Sequence, residues 1–194
     1  MISNSQKILK RSFDIIVSFF ALCVLWIPLL LLVVIASVET GKSGLFYQKR
    51  IGMNARPFMM FKIRTLKGKN HTIEELNSHQ TFVGKWLRKT KIDELPQFIN
   101  VLFGSMSIVG PRPDVAGYAD KLQGEDRIIL SVKPGITGPA TIKFKNEEAL
   151  LLSQDNPKEY NDTVIWPEKV RVNKEYIKNW SFAKDINCIF KSIF

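Results

Sequence analysis

The sequence predicts a helix-rich α+β chain: an apolar N-terminal helix that enters a membrane, then a small domain built around a β-hairpin. Three observations carry this. No charged residue lies between Ile15 and Val38, a run of the length that a bilayer-crossing helix needs. Two strand-like runs, Leu45 to Arg50 and Pro57 to Leu66, flank the turn residues Gly52-Met53-Asn54-Ala55. Beyond them, apolar residues recur mainly at helical spacing.

The apolar segment allows three readings. A cleaved signal peptide fits the leading Lys7, Lys10 and Arg11, but its core would be too long. A spanning helix fits the length, yet Lys42, Lys49, Arg50 and Arg56 make the second flank basic as well, so the positive-inside rule favours neither orientation. A re-entrant segment that breaks at Pro28 keeps both basic flanks on one side. The proline lacks an N–H, and its ring clashes with the carbonyl of Val24. The expected division is a membrane anchor over 1–40 and a folded body over 41–194.

In the second strand Met59, Phe61 and Ile63 alternate with Met60, Lys62 and Arg64, which places Lys62 and Arg64 on one face. The polar stretch 67–78 reads as a loop or exposed helix, and Phe82 to Arg88 as a short helix. Leu95, Phe98, Ile99 and Leu102 then mark an amphipathic helix. Pro96 is tolerated only in its first turn, so the helix begins at Asp93 and Glu94. Two Gly/Pro-rich stretches, 104–113 and 133–139, read as loops. A last amphipathic pattern (Ile186, Ile189, Phe190, Ile193, Phe194) suits packing on the body or lying in the membrane interface.

The net charge of +10, from 28 basic and 18 acidic residues, favours an anionic partner: nucleic acid, anionic lipid or a phosphorylated substrate. Two isolated cysteines argue against a disulfide framework and for a reducing compartment. His71 and His79 alone do not make a zinc site.

Asp93 and Glu94 are the sharpest chemical candidates. Capping is the ordinary job of acids at a helix start. Adjacent carboxylates splay by about 100° and can embrace one ion, and a helix N-terminus keeps a carboxylate ionised. Lys85, Arg88, Lys89 and Lys91 lie close in sequence. Arg112, held between Pro111 and Pro113, presents a guanidinium on a stiff loop, suited to a phosphate. Acidic pair and cationic loop fit phosphoryl chemistry with a hard cation, and Mg²⁺ is the natural one. A membrane-tethered basic module without catalysis would explain the charge and the anchor, but not the acidic pair beside the rigid arginine.

The order of parts resembles the bacterial sugar transferase family, the monotopic phosphoglycosyl transferases. The resemblance rests on Lys10-Arg11-Ser12-Phe13-Asp14, Gln48-Lys49-Arg50-Ile51-Gly52, Phe61-Lys62-Ile63-Arg64-Thr65-Leu66, Asp93-Glu94-Leu95-Pro96-Gln97, the run from Met106 to Pro113, and Lys133-Pro134-Gly135-Ile136-Thr137-Gly138. It implies a re-entrant anchor in the bacterial inner membrane, with the active site at the cytosolic face. It also implies a UDP-sugar donor, an undecaprenyl phosphate acceptor and no nucleic acid. Asp93 would attack the β-phosphorus and expel UMP. Glu94 would share Mg²⁺ with Asp93 and relay a proton, Arg112 would bind phosphate, and Lys62, Arg64, Arg88 and Asp185 would support substrate binding. Inner-membrane lipids would be partners, and a homodimer is compatible with this reading. Two departures stand out: Ile27 where the family has Ser before the membrane proline, and Pro139-Ala140-Thr141-Ile142 after the Lys133 loop.

Overall fold

The computed structural model describes residues 2–68 and 79–193. The segment 69–78, with His71 and most of the expected polar loop, lies outside the described residues. The chain folds as a helix-rich α+β structure.

Helix α1 (Asn4–Thr40) has 37 residues, about 55 Å at 1.5 Å per residue. It opens with a capping box: the Ser3 hydroxyl accepts from the Gln6 amide, and the Gln6 side chain accepts from the Ser3 amide. It closes at Gly41, whose φ of 65° is the left-handed conformation that ends many helices. The helix-break-helix expected at Pro28 is not the form adopted, because α1 runs through Pro28 without interruption. The burial pattern supplies the reason. Asp14, Ser18, Leu29, Ala36 and Thr40 are buried, and Leu22, Leu25, Leu32 and Val33 are packed beside them, forming one helical stripe against the body. Pro28 points the other way, so its ring and the unpaired Val24 carbonyl disturb only the outward face. That face exposes Phe19, Phe20, Val24, Ile27, Leu31 and Val34. Among the described residues α1 is the one helix long and apolar enough to cross a membrane.

Strands β1 (Leu45–Ile51) and β2 (Pro57–Ile63) form the expected antiparallel hairpin, in register Leu45↔Ile63 through Ile51↔Pro57. Helix α2 spans Phe82–Thr90. The helix expected from Asp93 onward is shorter: a 3₁₀ turn covers Ile92–Glu94, and α3 covers Gln97–Leu102. The amides of Leu95, Phe98 and Ile99 each bond to the carbonyl three residues back, so the acidic pair sits in a tighter turn than an α-helix start.

The two Gly/Pro-rich stretches hold short strands, β3 (Ser107–Val109) and β4 (Gly135–Thr137), paired in parallel. Their approach depends on glycine: a Cβ on Gly135 would lie 2.1 Å from the amide nitrogen of Gly110. Helices α4 (Pro139–Lys143), α5 (Glu147–Leu152), α6 (Pro157–Tyr160), α7 (Trp166–Lys178) and α8 (Phe182–Ile193) complete the body. Helix α8 packs through Asp185 and Cys188, the placement on the body expected for the tail, and leaves Phe190 and Ile193 exposed.

Two apolar clusters hold these parts. One gathers Val101, Met106, Val109, Val170, Tyr176 and Ile177 with Phe13 and Val17 of α1. The other joins Leu29 and Ala36 of α1 to Ile63 and Leu87. Polar contacts reinforce both. The Arg11 guanidinium donates to the carbonyls of Val101 and Leu102, at 2.6 and 2.9 Å, and so caps the end of α3. Asp14 accepts from the Ile108 amide at 3.0 Å.

Candidate active site

The acidic pair is positioned by three local devices. Lys91 ends α2 with φ 59°, a left-handed turn rare for a side chain of its kind, and redirects the chain into the 3₁₀ turn. Asn100 of α3 grips the edge of β2: its Oδ1 accepts from the Phe61 amide at 3.0 Å, and its Nδ2 donates to the Met59 carbonyl at 2.7 Å. That grip holds Lys62 above the turn. Pro111 and Pro113 stiffen the loop that delivers Arg112.

The result is a buried charge cluster. Glu94 Oε1 accepts from Lys62 Nζ at 2.9 Å and from Arg112 Nη2 at 2.7 Å. Arg112 Nη1 also reaches Glu94 Oε2, at 3.4 Å. Asp93 and Glu94 are each 6% exposed. Asp93 Oδ1 is buried without a hydrogen-bond partner among the described residues, an uncommon state for a buried polar atom.

Electrostatics separate the two carboxylates. Burial pushes Glu94 up, but Arg112 and Lys62 outweigh it and hold Glu94 well below the usual carboxylate range. Burial pushes Asp93 up; Lys62 opposes this and Glu94 adds to it. Asp93 thus lies in a 3₁₀ turn rather than at an α-helix N-terminus, and burial raises its pKa while Lys62, Arg88 and Lys91 act to lower it. Burial also lowers Lys62, against the pull of Glu94. Glu94 raises Arg112 above its ordinary value.

The other expected site residues divide. Arg88 is close enough to Asp93 to favour its charge, while its guanidinium bonds Glu148 at 2.6 Å. Arg64 is engaged at the hairpin base, donating from Nε to the Ser43 carbonyl at 2.7 Å and stacking 5.1 Å from the Phe46 ring centre. Asp185 is 2% exposed and bonds Lys10, the Tyr176 hydroxyl and the Trp180 indole. It joins α1 to α7 and α8 and touches none of the Glu94 cluster.

Four residues that the sequence reading passed over complete the neighbourhood. Arg50 and Asp114 lie beside Arg112, and Lys169 and Glu147 lie beside Asp114. Burial raises the Asp114 carboxyl to about 6, against Lys169, Arg50 and Arg112. Arg50 sits inside a motif and Asp114 next to one. Lys169, on α7, carries no sequence signal.

Among the described residues no three carboxylates, histidines or cysteines gather as a metal-binding group. Mg²⁺ needs only one or two carboxylates when waters and substrate phosphates complete its shell. The Glu94 oxygens already hold Lys62 and Arg112, whereas Asp93 Oδ1 is free. The donor set fits a Mg²⁺ held chiefly by Asp93.

The sequence profile of the bacterial sugar transferases matches residues 5–194. The chain belongs to the bacterial sugar transferase family. Its relatives within that family differ in length. The sugar transferase EpsL of Bacillus subtilis (strain 168), whose own activity is uncharacterized, is 32% identical over 185 residues, which span 94% of this chain and 84% of EpsL. The UDP-glucose:undecaprenyl-phosphate glucose-1-phosphate transferase of Klebsiella pneumoniae is 36% identical over 205 residues, spanning 100% of this chain but 41% of that protein. The exopolysaccharide production protein ExoY of Sinorhizobium fredii (strain NBRC 101917 / NGR234) is 32% identical over 205 residues, spanning 95% of this chain and 83% of ExoY. This bacterial sugar transferase therefore matches the short relatives over most of their length and the glucose-1-phosphate transferase over less than half.

Proposed function

We propose that this sugar transferase moves a sugar-1-phosphate from a UDP-sugar to undecaprenyl phosphate, releasing UMP. One observation carries the reading: two adjacent buried carboxylates are driven apart in character, Glu94 clamped by Lys62 and Arg112, Asp93 left with an unpartnered oxygen. A nucleophile needs a free oxygen near cations that draw a phosphate to it. The donor and acceptor classes come from relatives that act on UDP-glucose and undecaprenyl phosphate.

In the first half-reaction an Asp93 oxygen bonds to the β-phosphorus, and the bond from that phosphorus to the bridging oxygen breaks. UMP leaves with the electron pair. In the second, an oxygen of undecaprenyl phosphate attacks the same phosphorus and Asp93 recovers its carboxylate. Lys62 and Arg112 draw in and orient the diphosphate, and Glu94 holds these two cations in place. Its strongly ionised state suits it to that task and leaves it a poor proton relay. Mg²⁺, held by Asp93 with the edge of Glu94 and substrate oxygens, would supply charge neutralisation on the diphosphate.

The reading includes monotopic insertion of residues 1–40 into the inner membrane, with residues 41–194 at the cytosolic face. Support comes from the two ends of α1. Asp14 and Ala36 both pack on the same body, roughly 33 Å apart along the helix axis. That distance is about the thickness of a bilayer core, so a crossing helix would require one small body on both membrane surfaces. An outward face seated in one leaflet, with Pro28 facing the lipid, meets no such conflict.

The test is UMP release from a panel of UDP-sugars with Mg²⁺ and undecaprenyl phosphate. Wild-type protein should release UMP from at least one donor, and Asp93→Asn should release none. Wild-type rates in that variant, with the Asn confirmed by mass spectrometry, would remove Asp93 from the reaction. For topology, single cysteines at positions 5, 42 and 178 should all be labelled from one membrane side; labelling of 5 and 42 from opposite sides defeats the monotopic arrangement.

A further inference from the structure

Arg50 is a half-buried cation whose direct partners among the described residues are all neutral. Its Nη2 donates to Gln48 Oε1 at 2.7 Å, and its Nη1 reaches the Pro113 carbonyl at 3.4 Å, the outer edge of hydrogen bonding. Its Nε is buried with no partner among the described residues. Among the described residues it forms no ion pair, although Arg112 lies beside it and repels it. A partly desolvated guanidinium with no carboxylate in direct contact is costly; Asp114 and Glu94 offset part of that cost from a distance, and the second guanidinium of Arg112 adds to it. An arginine serving only to tie β1 to the Pro113 loop would use its Nε and would not need to stand next to Arg112.

The hairpin register says where this cation lies in the site. Lys62 pairs with Phe46 and Arg50 with Phe58, so both point from one face of the hairpin, four residues apart along the ladder, or roughly 13 Å. Between them lies the Glu94–Arg112 pair. Asp93 feels Lys62 most among the cations, whereas Arg50 feels Arg112, Asp114 and Glu94. Lys62 and Arg112 meet at the same Glu94 oxygen, next to Asp93 in the chain, and Arg50 reaches the Pro113 carbonyl beside Arg112. A diphosphate with its reacting phosphorus at Asp93 and held by Arg112 would present its second phosphate to the guanidinium of Arg50 beside that loop.

We propose that Arg50 binds the α-phosphate of the nucleotide, the phosphate that stays on UMP when the donor is cleaved. This rests on the sugar-1-phosphate transfer reading above. The anion would occupy the free Nε, and it would relieve the repulsion between Arg50 and Arg112. Asp114 does not take this place. It attracts Arg50 but makes no direct ion pair with it, so the Nε stays open.

Calorimetric binding of UMP and of uridine to the full chain in detergent tests this, with Arg50→Gln and Arg50→Lys. Arg50→Gln should weaken UMP about tenfold or more, the scale of one charge-assisted hydrogen bond, and leave uridine unchanged. Arg50→Lys should lie between, since it keeps the charge and loses the fork. UMP affinity within twofold of wild type in Arg50→Gln overturns the assignment. So does an equal loss of UMP and uridine in both variants, which marks a purely structural arginine. A wild-type chain that binds no UMP and releases none from any UDP-sugar removes the parent reading, and this one with it.

Discussion

Lys62 and Arg112 donate to the same oxygen of Glu94, from a strand and a loop that lie 50 residues apart in the chain. Glu94 is therefore the joint at which the hairpin and the Pro111-Arg112-Pro113 loop meet. Removing its charge leaves a largely buried lysine and a half-buried arginine without their shared partner. Glu94→Gln should lower stability by about 3–5 kcal/mol, the usual cost of breaking a buried ion pair, and abolish UMP release. Adding Lys62→Met should return part of the lost stability, because one stranded cation is gone. Chemical denaturation of the two variants and wild type in detergent checks this; a double variant no more stable than Glu94→Gln alone contradicts it.

The same pair sets an acid limb. The folded pKa of Glu94 is depressed below its ordinary 4.5. Its stabilisation is complete above that value and is lost as pH falls below it. Wild type should lose stability on acidification below about pH 4.5 more steeply than Glu94→Gln, read as unfolding midpoints. Parallel curves would mean that Glu94 is not held by its two cations.

Asp114 should behave in the opposite sense. Its folded pKa is raised from 3.8 to about 6. Between these values the folded chain binds the proton more tightly than the unfolded one, so this group's contribution declines as pH rises from 4 through 6. At pH 7.5 the ionised carboxyl destabilises the fold by up to roughly 3 kcal/mol. Asp114→Asn should match wild type near pH 4 and exceed it increasingly to pH 7. A constant difference across that range would show that Asp114 does not titrate there.

Much of this arrangement was legible in the residues, and the limits have physical causes. The hairpin and the apolar helix follow from local periodicity, which a sequence displays directly. Pro96 marked the region of Asp93 and Glu94, but the 3₁₀ form of the turn depends on Lys91 taking a left-handed conformation that its residue type does not announce. The pairing of β3 with β4 was hidden because three-residue strands between glycines and prolines resemble loops. Continuity of α1 through Pro28 depends on a body-facing stripe that only packing reveals. Lys169 and Glu147 reach the site from α7 and α5, and nothing local marks such distant partners. The expected tasks of Arg64 and Asp185 came from resemblance alone, and their contacts place them outside the Glu94 cluster.

The β3–β4 contact should tolerate no side chain at Gly135. A Cβ there would meet the Gly110 amide at 2.1 Å and the Thr137 carbonyl at 2.4 Å, both backbone atoms that cannot swing aside. Gly135→Ala should cost about 1–3 kcal/mol or more from overpacking. It should also displace Arg112, two residues from Gly110. Unfolding midpoints and UMP release should fall together, and unchanged values for both would show that the strands can separate freely.

Asp185 offers a separation of fold from chemistry. It is 2% exposed, and it bonds Lys10 on α1, Tyr176 on α7 and the indole of Trp180. Its replacement leaves a buried lysine, phenol and indole without their shared acceptor. Asp185→Ala should cost about 3–5 kcal/mol and loosen α1, so that proteases cut between α1 and β1 sooner than in wild type. Asp185→Asn keeps an acceptor for Tyr176 and Trp180 but loses the charge for Lys10, and should show a smaller loss of stability with the same loosening. Because Asp185 lies outside the Glu94 cluster, the Asn variant that remains folded should keep its KM for the UDP-sugar within about twofold, well under the tenfold expected for losing a substrate hydrogen bond. A KM raised tenfold in a protein of wild-type stability would instead place Asp185 at the substrate.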